Sequence, residues 1–342
     1  MNKIKVLITG AGSLYGVAVI QALLASKLKL NLVACDIEPR TLGLYLAHKG
    51  YIVPAARHEA DYLEKLLDIL AGEEIQAVFV ASSQELDFFS RHKADIEKKT
   101  QAKVFTNSPE VLNICDDKWS TVCFLKEHGF YAPLTIRYPE DAEQICSFIK
   151  DANFPVIIKP RRGTGSKGLY MVENFTRLRT LLKGQNDMII QQYIPDRQGE
   201  YTTGICTGSG GKVLSGITLK RYLQDGMTMS ADSDDYTEIT SYCKQVAGVL
   251  KPYGPCNFQL RLLEQKPFIF EINPRFSSTT GMRYLLGVNE AEILLRAEIL
   301  GEAIPESKIK KCSVIRQYAD YLVPTEQLEQ LEKKSCCINQ PG

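Results

Sequence analysis

Three oxygen-bearing side chains and one arginine lie on two neighbouring segments that are expected to pair as strands. In the segment Phe268–Arg275, Glu271 and Asn273 alternate with apolar residues, so both side chains point to the same face of a strand. Gln259 alternates with apolar residues in the same way on the preceding segment. Oxygen ligands at a strand end suit Mg²⁺, with phosphate oxygens and water completing the octahedron, and Arg275 could neutralise a phosphoryl group in transfer. A half-exposed strand with ordinary polar residues would show the same pattern.

A lysine and a glycine-rich segment form a second candidate site. Lys159 ends the apolar strand predicted over Pro155–Lys159, and the segment Arg161–Gly168 follows. That segment holds three glycines, two hydroxyl side chains and three cations, so its backbone N–H groups could wrap a polyphosphate. Its spacing is not the GxxxxGK[ST] of a P-loop, which disfavours that class of site. We expect Gly163–Gly168 to be a lid that nucleotide orders. A solvated hairpin with incidental charge is the alternative.

A third glycine-rich segment lies near the N-terminus. Gly10–Gly16 follows a predicted strand and opens a predicted helix, which lets an anionic group approach the helix N-terminus. Asp36 ends the second predicted strand, where a dinucleotide fold has its ribose-binding acid. The spacing, GxGxxxG, is one residue longer than the dinucleotide fingerprint. Binding of a nucleotide or substrate and simple packing of a strand on a helix therefore both stay open.

The first hundred residues, which must position that turn, alternate short apolar runs with helical periodicity. The alternation predicts a parallel sheet covered on both faces, that is, a doubly wound α/β domain. Ser108 followed by Pro109 is a typical helix start near the end of this domain. The predicted strands are Ile4–Thr9, Leu32–Cys35, Tyr51–Val53, Ala77–Val80 and Lys103–Thr106, and the predicted helices are Tyr15–Ala25, Ala60–Leu70 and Leu86–Lys98.

The second region is predicted to be α+β, because hairpin turns join its strands. One hairpin spans Tyr201–Thr218 around the turn Ser209–Gly211, and another joins Phe258–Leu263 to Phe268–Ile272. The other predicted strands are Pro155–Lys159, Leu169–Val172 and Met188–Tyr193, and the predicted helices are Asp117–His128, Phe175–Leu182, Tyr236–Leu250 and Val288–Leu300.

Composition argues against several classes of protein. The chain has 342 residues, enough for two domains, and 41 Lys and Arg stand against 40 Asp and Glu. A formal net charge of +1 disfavours a basic nucleic-acid binder and an acidic disordered chain. No apolar run is long enough to span a bilayer, and we expect no secretory leader. The ten cysteines include no CxxC pair, so we expect no zinc cluster and a cytoplasmic protein with reduced thiols.

The three motifs, taken in this order, resemble the ATP-grasp superfamily. They are the glycine turn, the Ile-Ile-Lys-Pro strand with its glycine-rich lid, and the Glu-Ile-Asn-Pro-Arg run. The chain is most similar to the carbamoyl-phosphate-synthetase-like branch, over about residues 1–320. The resemblance implies a Rossmann-like pre-ATP-grasp domain (1–112) and a two-lobed ATP-grasp domain with antiparallel sheets (113–320). The glycine-lid lobe would cover about 120–190, the metal-site lobe about 191–320, and a C-terminal tail 321–342.

The resemblance also implies roles for individual residues. The phosphates of ATP would be held by two lysines and the lid, namely Lys118, Lys159, Gly163, Gly165, Ser166 and Gly168. The adenine would face the backbone of Gln192, Tyr193 and Ile194, and Glu200 would hold the ribose hydroxyls. One or two Mg²⁺ ions, which Mn²⁺ can replace, would be bound by Gln259, Glu271 and Asn273. Lys159 and Arg275 are expected to be catalytic.

Two positions depart from the family pattern. The hinge acid that is common in the family is Gln192 here, so this side chain is a weaker acceptor for a base or ribose. The first metal ligand is Gln259 rather than an acid, which lowers the negative charge of the metal site. The second metal ion is therefore the less secure of the two.

The chemistry that fits these residues is phosphoryl transfer by positioning and electrostatics, because no Ser-His-Asp or Cys-His arrangement is visible. The resemblance implies ligation of a carboxylate, an amino acid or another small acid, to an amine through an acyl phosphate. The carboxylate could be held by Lys220 and Arg221, or by Arg283 beside the hydroxyl-rich loop Ser277–Gly281. We expect small-molecule partners, with no nucleic acid and no membrane, and a homodimer is left open.

Two other classes of function compete with the ligase. An NAD-dependent oxidoreductase would use Gly10–Gly16 and Asp36, but all four histidines precede residue 129, so the second half offers no proton-transfer histidine. A non-catalytic ATP-binding module is the other alternative, and the full set of lysines and metal ligands argues against it.

Overall fold

A computed structural model of the chain describes residues 3–163 and 168–339. Gly165 and Ser166, which the sequence predicts to contact phosphate, lie outside the described residues. Among the helices that are described, none combines the length and the apolar character needed to cross a bilayer.

The N-terminal domain is built on a sheet whose first five strands run parallel, in the order β3-β2-β1-β4-β5. Helices cover both faces, so side chains on both sides of β1 are buried: Val6 and Ile8 pack on one side and Leu7 on the other. The strands are β1 (Ile4–Thr9), β2 (Leu30–Asp36), β3 (Lys49–Ile52), β4 (Ala77–Val80) and β5 (Lys103–Phe105). The helices are α1 (Leu14–Leu24), α2 (Gly43–Leu46), α3 (Glu59–Gly72) and α4 (Leu86–Thr100).

Two capped helices, α5 (Pro109–Asp116) and α6 (Lys118–Glu127), lead into the second half of the chain. Ser108 caps α5 by accepting the backbone N–H of Val111 at 3.4 Å, and Pro109 occupies the first helical position, as the sequence predicts. Asp117 caps α6 by accepting the N–H of Trp119 at 3.0 Å. The position of the domain boundary at residue 112 stays a prediction.

The second sheet has four antiparallel strands in the order β6-β9-β7-β8. Its elements are β6 (Thr135–Tyr138), α7 (Ala142–Ala152), β7 (Val156–Pro160), β8 (Tyr170–Val172), α8 (Phe175–Leu182) and β9 (Met188–Gln192). The sequence analysis assigned no element to β6 or α7. The first is a short strand at the sheet edge, and α7 exposes most of its residues, so neither has a long apolar run.

The third sheet has six strands in the order β14-β13-β10-β11-β12-β15. Its strands are β10 (Glu200–Thr207), β11 (Val213–Gln224), β12 (Met227–Ser233), β13 (Gly254–Leu263), β14 (Lys266–Asn273) and β15 (Cys312–Ile315). The helices are α9 (Thr237–Leu250), α10 (Thr280–Leu285) and α11 (Glu290–Leu294), the last followed by a π-helical turn over Leu295–Ile299. All pairs are antiparallel, which confirms the predicted α/β domain followed by an α+β domain.

The end of the chain, predicted as a tail, folds onto the N-terminal domain. It contains α12 (Thr325–Lys334) and β16 (Cys336–Ile338), which pairs antiparallel with β3 as the sixth strand of the first sheet. Asn339 donates from Nδ2 to the carbonyl oxygens of Leu44 and Ala47 at 2.8 and 2.9 Å. Cys337 is buried rather than exposed in a polar tail.

One continuous apolar cluster joins the N-terminal domain to the third sheet. Val19 and Ile20 of α1 pack in the same cluster as Met282 of α10, Leu286 directly after that helix, and Ile217 of β11. Burial of this surface stabilises the arrangement by about 25 cal/mol per Å² of apolar area removed from water. The N-terminal end of α1 is thereby fixed beside the third sheet.

Candidate active site

A cleft of about 620 Å³ lies between the second and third sheets and reaches the N-terminal domain. Strands β7 and β9 of the second sheet contribute Ile157, Lys159 and Gln192 to one wall. The third sheet forms the opposite wall, and Leu14 and Tyr15 at the start of α1 line one end. Three parts of the chain that are distant in sequence therefore meet at one cavity.

The polar wall of the cleft is one face of the third sheet. Antiparallel partners that lie directly opposite each other point to the same face, so the register of the strands identifies its members. The opposed pairs are Arg221 with Glu200, Glu200 with Arg261, Thr202 with Gln259, Gln259 with Glu271, and Asn257 with Asn273. All of these residues line the cleft.

Glu271, Asn273 and Arg275 form a connected group at the end of β14. The amide of Asn273 donates from Nδ2 to Oε1 of Glu271 at 3.1 Å, and Arg275 donates from Nη2 to Oδ1 of Asn273 at 3.0 Å. Arg275 also donates from Nη1 to the carbonyl oxygen of Phe276 at 2.8 Å. The predicted common face of Glu271 and Asn273 agrees with this arrangement, because alternation along one strand needs no tertiary information.

Gln259, predicted as a third metal ligand, is engaged by an arginine. Its Oε1 accepts a hydrogen bond from Nη2 of Arg221 at 2.8 Å, and the same guanidinium pairs with Glu200. Arg261 donates from Nε to Glu200 at 2.8 Å. Burial alone would raise the pKa of the Glu200 carboxyl, but the two guanidinium groups hold that pKa below its ordinary value. Glu200 is therefore a charged centre shared by two arginines.

The residues at the end of β14 fit one Mg²⁺ ion bound together with phosphate. Glu271 offers a carboxylate whose Oε2 accepts no hydrogen bond from the described residues, and Asn273 offers a carboxamide oxygen beside it. Both are hard oxygen donors of the kind Mg²⁺ prefers. Within residues 3–163 and 168–339, no group of three or more His, Cys, Asp or Glu could hold a metal ion by itself. Such an ion would depend on nucleotide oxygens for the rest of its coordination.

Two lysines stand on the other side of the cleft. Lys159 of β7 is buried, and its Nζ lies 5.5 Å from the centre of the Phe270 ring. Lys118, at the start of α6, donates from Nζ to the carbonyl oxygen of Gly163 at 2.9 Å. Burial, assisted by the charge of Lys118 and opposed by Glu271, lowers the pKa of Lys159 to about 8. Both lysine side chains line the cleft, and so does Gly163. Gly168 lies two residues before the start of β8.

Nucleotide affinity should fall as the pH rises above 8, because only the charged form of Lys159 attracts phosphate. In the free protein the pKa of Lys159 is about 8, so the ammonium is present below that pH and is lost above it. We expect the Kd of Mg·ADP to rise by up to about tenfold per pH unit between pH 8 and 9.5. Calorimetry in two buffers of different ionisation heat measures both the Kd and the protons taken up. A Kd that stays constant to pH 9.5 would contradict this.

The cleft also carries the segment that is predicted to face the adenine. Gln192, Tyr193 and Ile194 follow one another along its rim. Gln192 is tied to the neighbouring segment, since its Oε1 accepts the backbone N–H of Leu134 at 3.2 Å. Arg261 donates from Nη1 to the carbonyl oxygen of Ile194 at 2.8 Å and lies 5.5 Å from the centre of the Tyr193 ring. The hinge predicted from the sequence thus lines the cleft, and a third-sheet arginine supports it.

Two of the residues predicted to hold the acceptor carboxylate do not face the cleft. Lys220 and Arg221 lie within β11 rather than in a loop, so strand alternation sends their side chains to opposite faces. Only Arg221 lines the cleft. Arg283 is fully buried, where it pairs with Glu290 at 2.8 Å and donates to Ser277 and Thr279 at 2.9 and 2.8 Å. It supports the loop Ser277–Thr279, which lines the cleft, from beneath.

Three further residues of the cleft were not predicted from the sequence: Arg261, Asn257 and Tyr15. The first two lie two residues on either side of Gln259, so period-two alternation along β13 would have placed them on the same face. Tyr15 lies in the glycine turn region, and its contribution to the cleft depends on how α1 packs against α10. No local pattern carries that information.

Neighbouring segments of the same chain pack closely against the N-terminal glycine turn. A side-chain carbon on Gly12 would lie 2.5 Å from Thr41, and one on Gly43 would lie 2.0 Å from the carbonyl oxygen of Ala11. The carboxylate of Asp36 accepts the backbone N–H groups of Gly12 at 2.7 Å and Ile37 at 2.8 Å. Asp36 therefore holds this turn in place, and its carboxylate is engaged by the backbone of Gly12 and Ile37.

Asp36→Ala should weaken the fold without affecting nucleotide binding. Loss of the hydrogen bonds to Gly12 and Ile37 is expected to lower the free energy of unfolding by about 1–2 kcal/mol. Because the turn positions Leu14 and Tyr15, the KM for the acceptor should rise while the Kd of Mg·ADP stays unchanged. Denaturant titration and calorimetry measure these quantities. Saturable NADH binding that the substitution abolishes would instead favour an oxidoreductase.

Comparison with known sequence families agrees with the fold and the cleft. Residues 115–279 match the ATP-grasp domain, and residues 6–104 match the PylC-like N-terminal domain. The formate-dependent phosphoribosylglycinamide formyltransferase of Sulfurisphaera tokodaii is 24% identical, covering 89% of this chain and 78% of the relative. The carbamoyl phosphate synthase large chain of Thermotoga neapolitana is 21% identical over 71% of this chain and 23% of its own length. This chain thus spans about a quarter of that larger enzyme.

Solved structures show the same fold at low sequence identity. N5-carboxyaminoimidazole synthetase from Staphylococcus aureus superposes with a TM-score of 0.71 at 15% identity, covering 97% of this chain and 86% of that one. Biotin carboxylase from Campylobacter jejuni, solved with a β,γ-ATP ligand, gives a TM-score of 0.67 at 17% identity, covering 90% and 74%.

The fold and the cleft define an ATP-grasp protein, and the chain belongs to the ATP-grasp superfamily. The PylC-like domain and the similarity to carbamoyl phosphate synthase large chains confirm the predicted carbamoyl-phosphate-synthetase-like branch. As an ATP-grasp ligase, the chain is an ATP-dependent enzyme that forms carbon–nitrogen bonds.

Proposed function

We propose that the chain is an ATP- and Mg²⁺-dependent carboxylate–amine ligase that forms an acyl-phosphate intermediate, with an amino acid or another small acid as acceptor. The observation that carries the proposal is the charge of the cleft, where the described part of the chain contributes six cationic side chains and two carboxylates to the lining. The cations are Lys118, Lys159, Arg162, Arg221, Arg261 and Arg275, and the carboxylates are Glu200 and Glu271. This surplus of positive charge suits a triphosphate together with an anionic acceptor.

The reaction proceeds in two displacements. A carboxylate oxygen of the acceptor attacks the γ-phosphorus of ATP, the bond from that phosphorus to the β,γ-bridging oxygen breaks, and ADP leaves. The amine nitrogen then attacks the carbonyl carbon of the acyl phosphate. The carbon–oxygen bond to phosphate breaks, orthophosphate leaves, and the nitrogen releases a proton to water. The protein supplies no nucleophile, so it accelerates the reaction by positioning and charge.

Each charged residue of the cleft has a place in this scheme. Lys118 and Lys159 hold the phosphates, and Arg275 offsets negative charge that builds up on the transferring phosphoryl group. Glu271 and Asn273 would bind Mg²⁺, which when present neutralises phosphate oxygens. Glu200 holds the ribose hydroxyls while it fixes Arg221 and Arg261. The lid Gly163–Gly168, including Gly165 and Ser166, covers the phosphates.

The reverse half-reaction tests the proposal without knowledge of the acceptor. Mg·ADP mixed with acetyl phosphate or carbamoyl phosphate should yield ATP, because either acyl phosphate can return its phosphoryl group to ADP. Luciferase detects the ATP. Orthophosphate release from ATP, screened with amino acids singly and in pairs, then identifies the natural substrates. Tight ATP binding with neither ATP synthesis nor acceptor-dependent phosphate release would favour a non-catalytic ATP-binding module.

Three finer features belong to the proposal as well. Glu271 and Asn273 would hold the first Mg²⁺ ion once Arg275 releases Oδ1 of Asn273, and a second ion at Gln259 would have to displace Arg221. Counting bound Mn²⁺ by electron paramagnetic resonance in the ADP complex decides between one and two ions. A cytoplasmic location, in which the ten cysteines would stay reduced, also belongs to the proposal. Sedimentation velocity, which measures the mass of the particle in solution, tests whether the protein forms a homodimer.

A further inference from the structure

Tyr15 of the N-terminal domain touches the arginine that ends the metal-site strand. The Cζ atom of Arg275 lies 4.3 Å from the centre of the Tyr15 ring, within the range of a cation–π contact. Both residues line the cleft. Tyr15 lies in the first turn of α1, whose N-cap Ser13 accepts the N–H of Gly16 at 3.0 Å, so the ring is carried by a capped helix.

The guanidinium of Arg275 has no acidic partner among the residues that the structure describes. It is 7% exposed, and no carboxylate among the described residues lies within ion-pair distance of it. Two of its five N–H donors bond to Phe276 and Asn273, and both acceptors are uncharged amide oxygens. A cation held this way in a largely buried site is costly unless an anion completes its environment. The site is therefore prepared for an anionic group of the bound substrates.

The aromatic ring is well placed to set the plane of that guanidinium. Helix α1 packs against α10 in a common apolar cluster, and a carbon added to Gly281 of α10 would lie 3.5 Å from Cβ of Ala18. The helix that carries Tyr15 and the segment that follows Arg275 are thus held rigidly together. Arg275 has several rotatable bonds, and a face-on ring on one side limits the rotamers it can adopt.

We propose that Tyr15 is a positioning residue, through which the N-terminal domain orients Arg275 toward the phosphoryl group or phosphate in the cleft. The inference rests on the proposed function, in which Arg275 offsets phosphoryl charge. The π face of Tyr15 performs this role, since its hydroxyl makes no hydrogen bond to the described residues. The N-terminal domain is then part of the anion site rather than a neighbouring scaffold.

Binding of inorganic orthophosphate to the Mg·ADP complex tests this without the natural acceptor. Calorimetry should show that Tyr15→Leu weakens orthophosphate binding by about tenfold, whereas Tyr15→Phe, which keeps the ring, stays within about twofold of the parent. The Kd of Mg·ADP should not change in either variant. Leu24→Ala, at the other end of the same helix, exposed and outside the cleft lining, is the matched control and should bind orthophosphate as the parent does.

A double-mutant cycle separates positioning from general damage. Arg275→Met should itself weaken orthophosphate binding, and in that background Tyr15→Leu should add nothing further. Equal orthophosphate affinity of Tyr15→Leu and the parent, or additive effects in the cycle, would overturn the inference. So would a parent complex that binds no orthophosphate. If the cycle shows coupling but no acyl phosphate supports ATP synthesis, the positioning stands and the ligase proposal fails.

Discussion

Glu271→Gln is expected to reduce ATP turnover by about 100-fold or more. The substitution keeps the volume of the side chain but removes the charge of the one acid beside Asn273. Mg²⁺ bound with the nucleotide then loses its anionic protein ligand. Because the hydrogen bond from Asn273 to the side-chain oxygen can persist, the fold should be unchanged. Release of ADP, followed with a coupled assay, measures the turnover, and thermal unfolding checks the fold.

Glu264→Gln is the matched control for this prediction. Glu264 is an exposed acid in the turn that joins β13 to β14, on the same hairpin as Glu271. Removing its charge should leave turnover within about twofold of the parent, as usual for an exposed side chain away from a site. If Glu271→Gln keeps full turnover, the metal site does not lie at the end of β14.

Arg283→Met should lower the free energy of unfolding by about 3–5 kcal/mol. Arg283 and Glu290 are both fully buried and pair at 2.8 Å, so removal of the arginine leaves a carboxylate without a counter-charge. Gly204 of β10 makes room for this pair, since a side-chain carbon there would lie 2.2 Å from Nη1 of Arg283. Denaturant titration measures the change.

Two comparisons identify the cause of that loss. Arg283→Met combined with Glu290→Leu removes both charges and should recover much of the lost stability, because an apolar pair needs no counter-ion. Arg91→Met breaks an ion pair with Glu59 of similar length, 2.7 Å, that is exposed to solvent, and should have a far smaller effect. Equal losses from Arg91→Met and Arg283→Met would show that burial of the pair is unimportant.

The same substitution should also affect the cleft. Arg283 donates hydrogen bonds to Ser277 and Thr279, and both of these residues line the cavity. Without the arginine, the loop Ser277–Thr279 loses these hydrogen bonds. Acceptor binding should therefore weaken even in molecules that remain folded. A buried residue that never touches substrate can in this way change KM.

Several features of the fold and site were predictable from local patterns. Continuous apolar runs identified β1 and β4, and alternating helices and strands identified the α/β domain. Alternation in Phe268–Arg275 placed Glu271 and Asn273 on one face, and strand-end position identified Lys159. These predictions succeed because period-two and period-3.6 patterns depend only on neighbours along the chain.

Other features needed the strand pairing. The sequence analysis treated Lys220 and Arg221 as one cationic pair, whereas their strand sends them to opposite faces. It placed Arg283 in the substrate site, whereas the packing of α10 and α11 encloses it with Glu290. It left the last residues as a tail, although β16 completes the first sheet through hydrogen bonds to a strand almost 300 residues earlier in the chain. The contacts of Arg283 and of β16 have no local signal, whereas the opposite orientation of Lys220 and Arg221 follows once β11 is known to extend to Gln224.

The sequence by itself determined the class of fold, and the resemblance of its motifs indicated the ATP-grasp family. The side chains that would bind phosphate and metal stay predictions, made from residue type and from spacing within single strands and loops. Only the tertiary structure decided which cations face the cleft, that Arg221 engages Gln259, and that Tyr15 lies against Arg275. Such contacts join segments as much as 260 residues apart, and they depend on strand register and helix packing that no short stretch of sequence specifies.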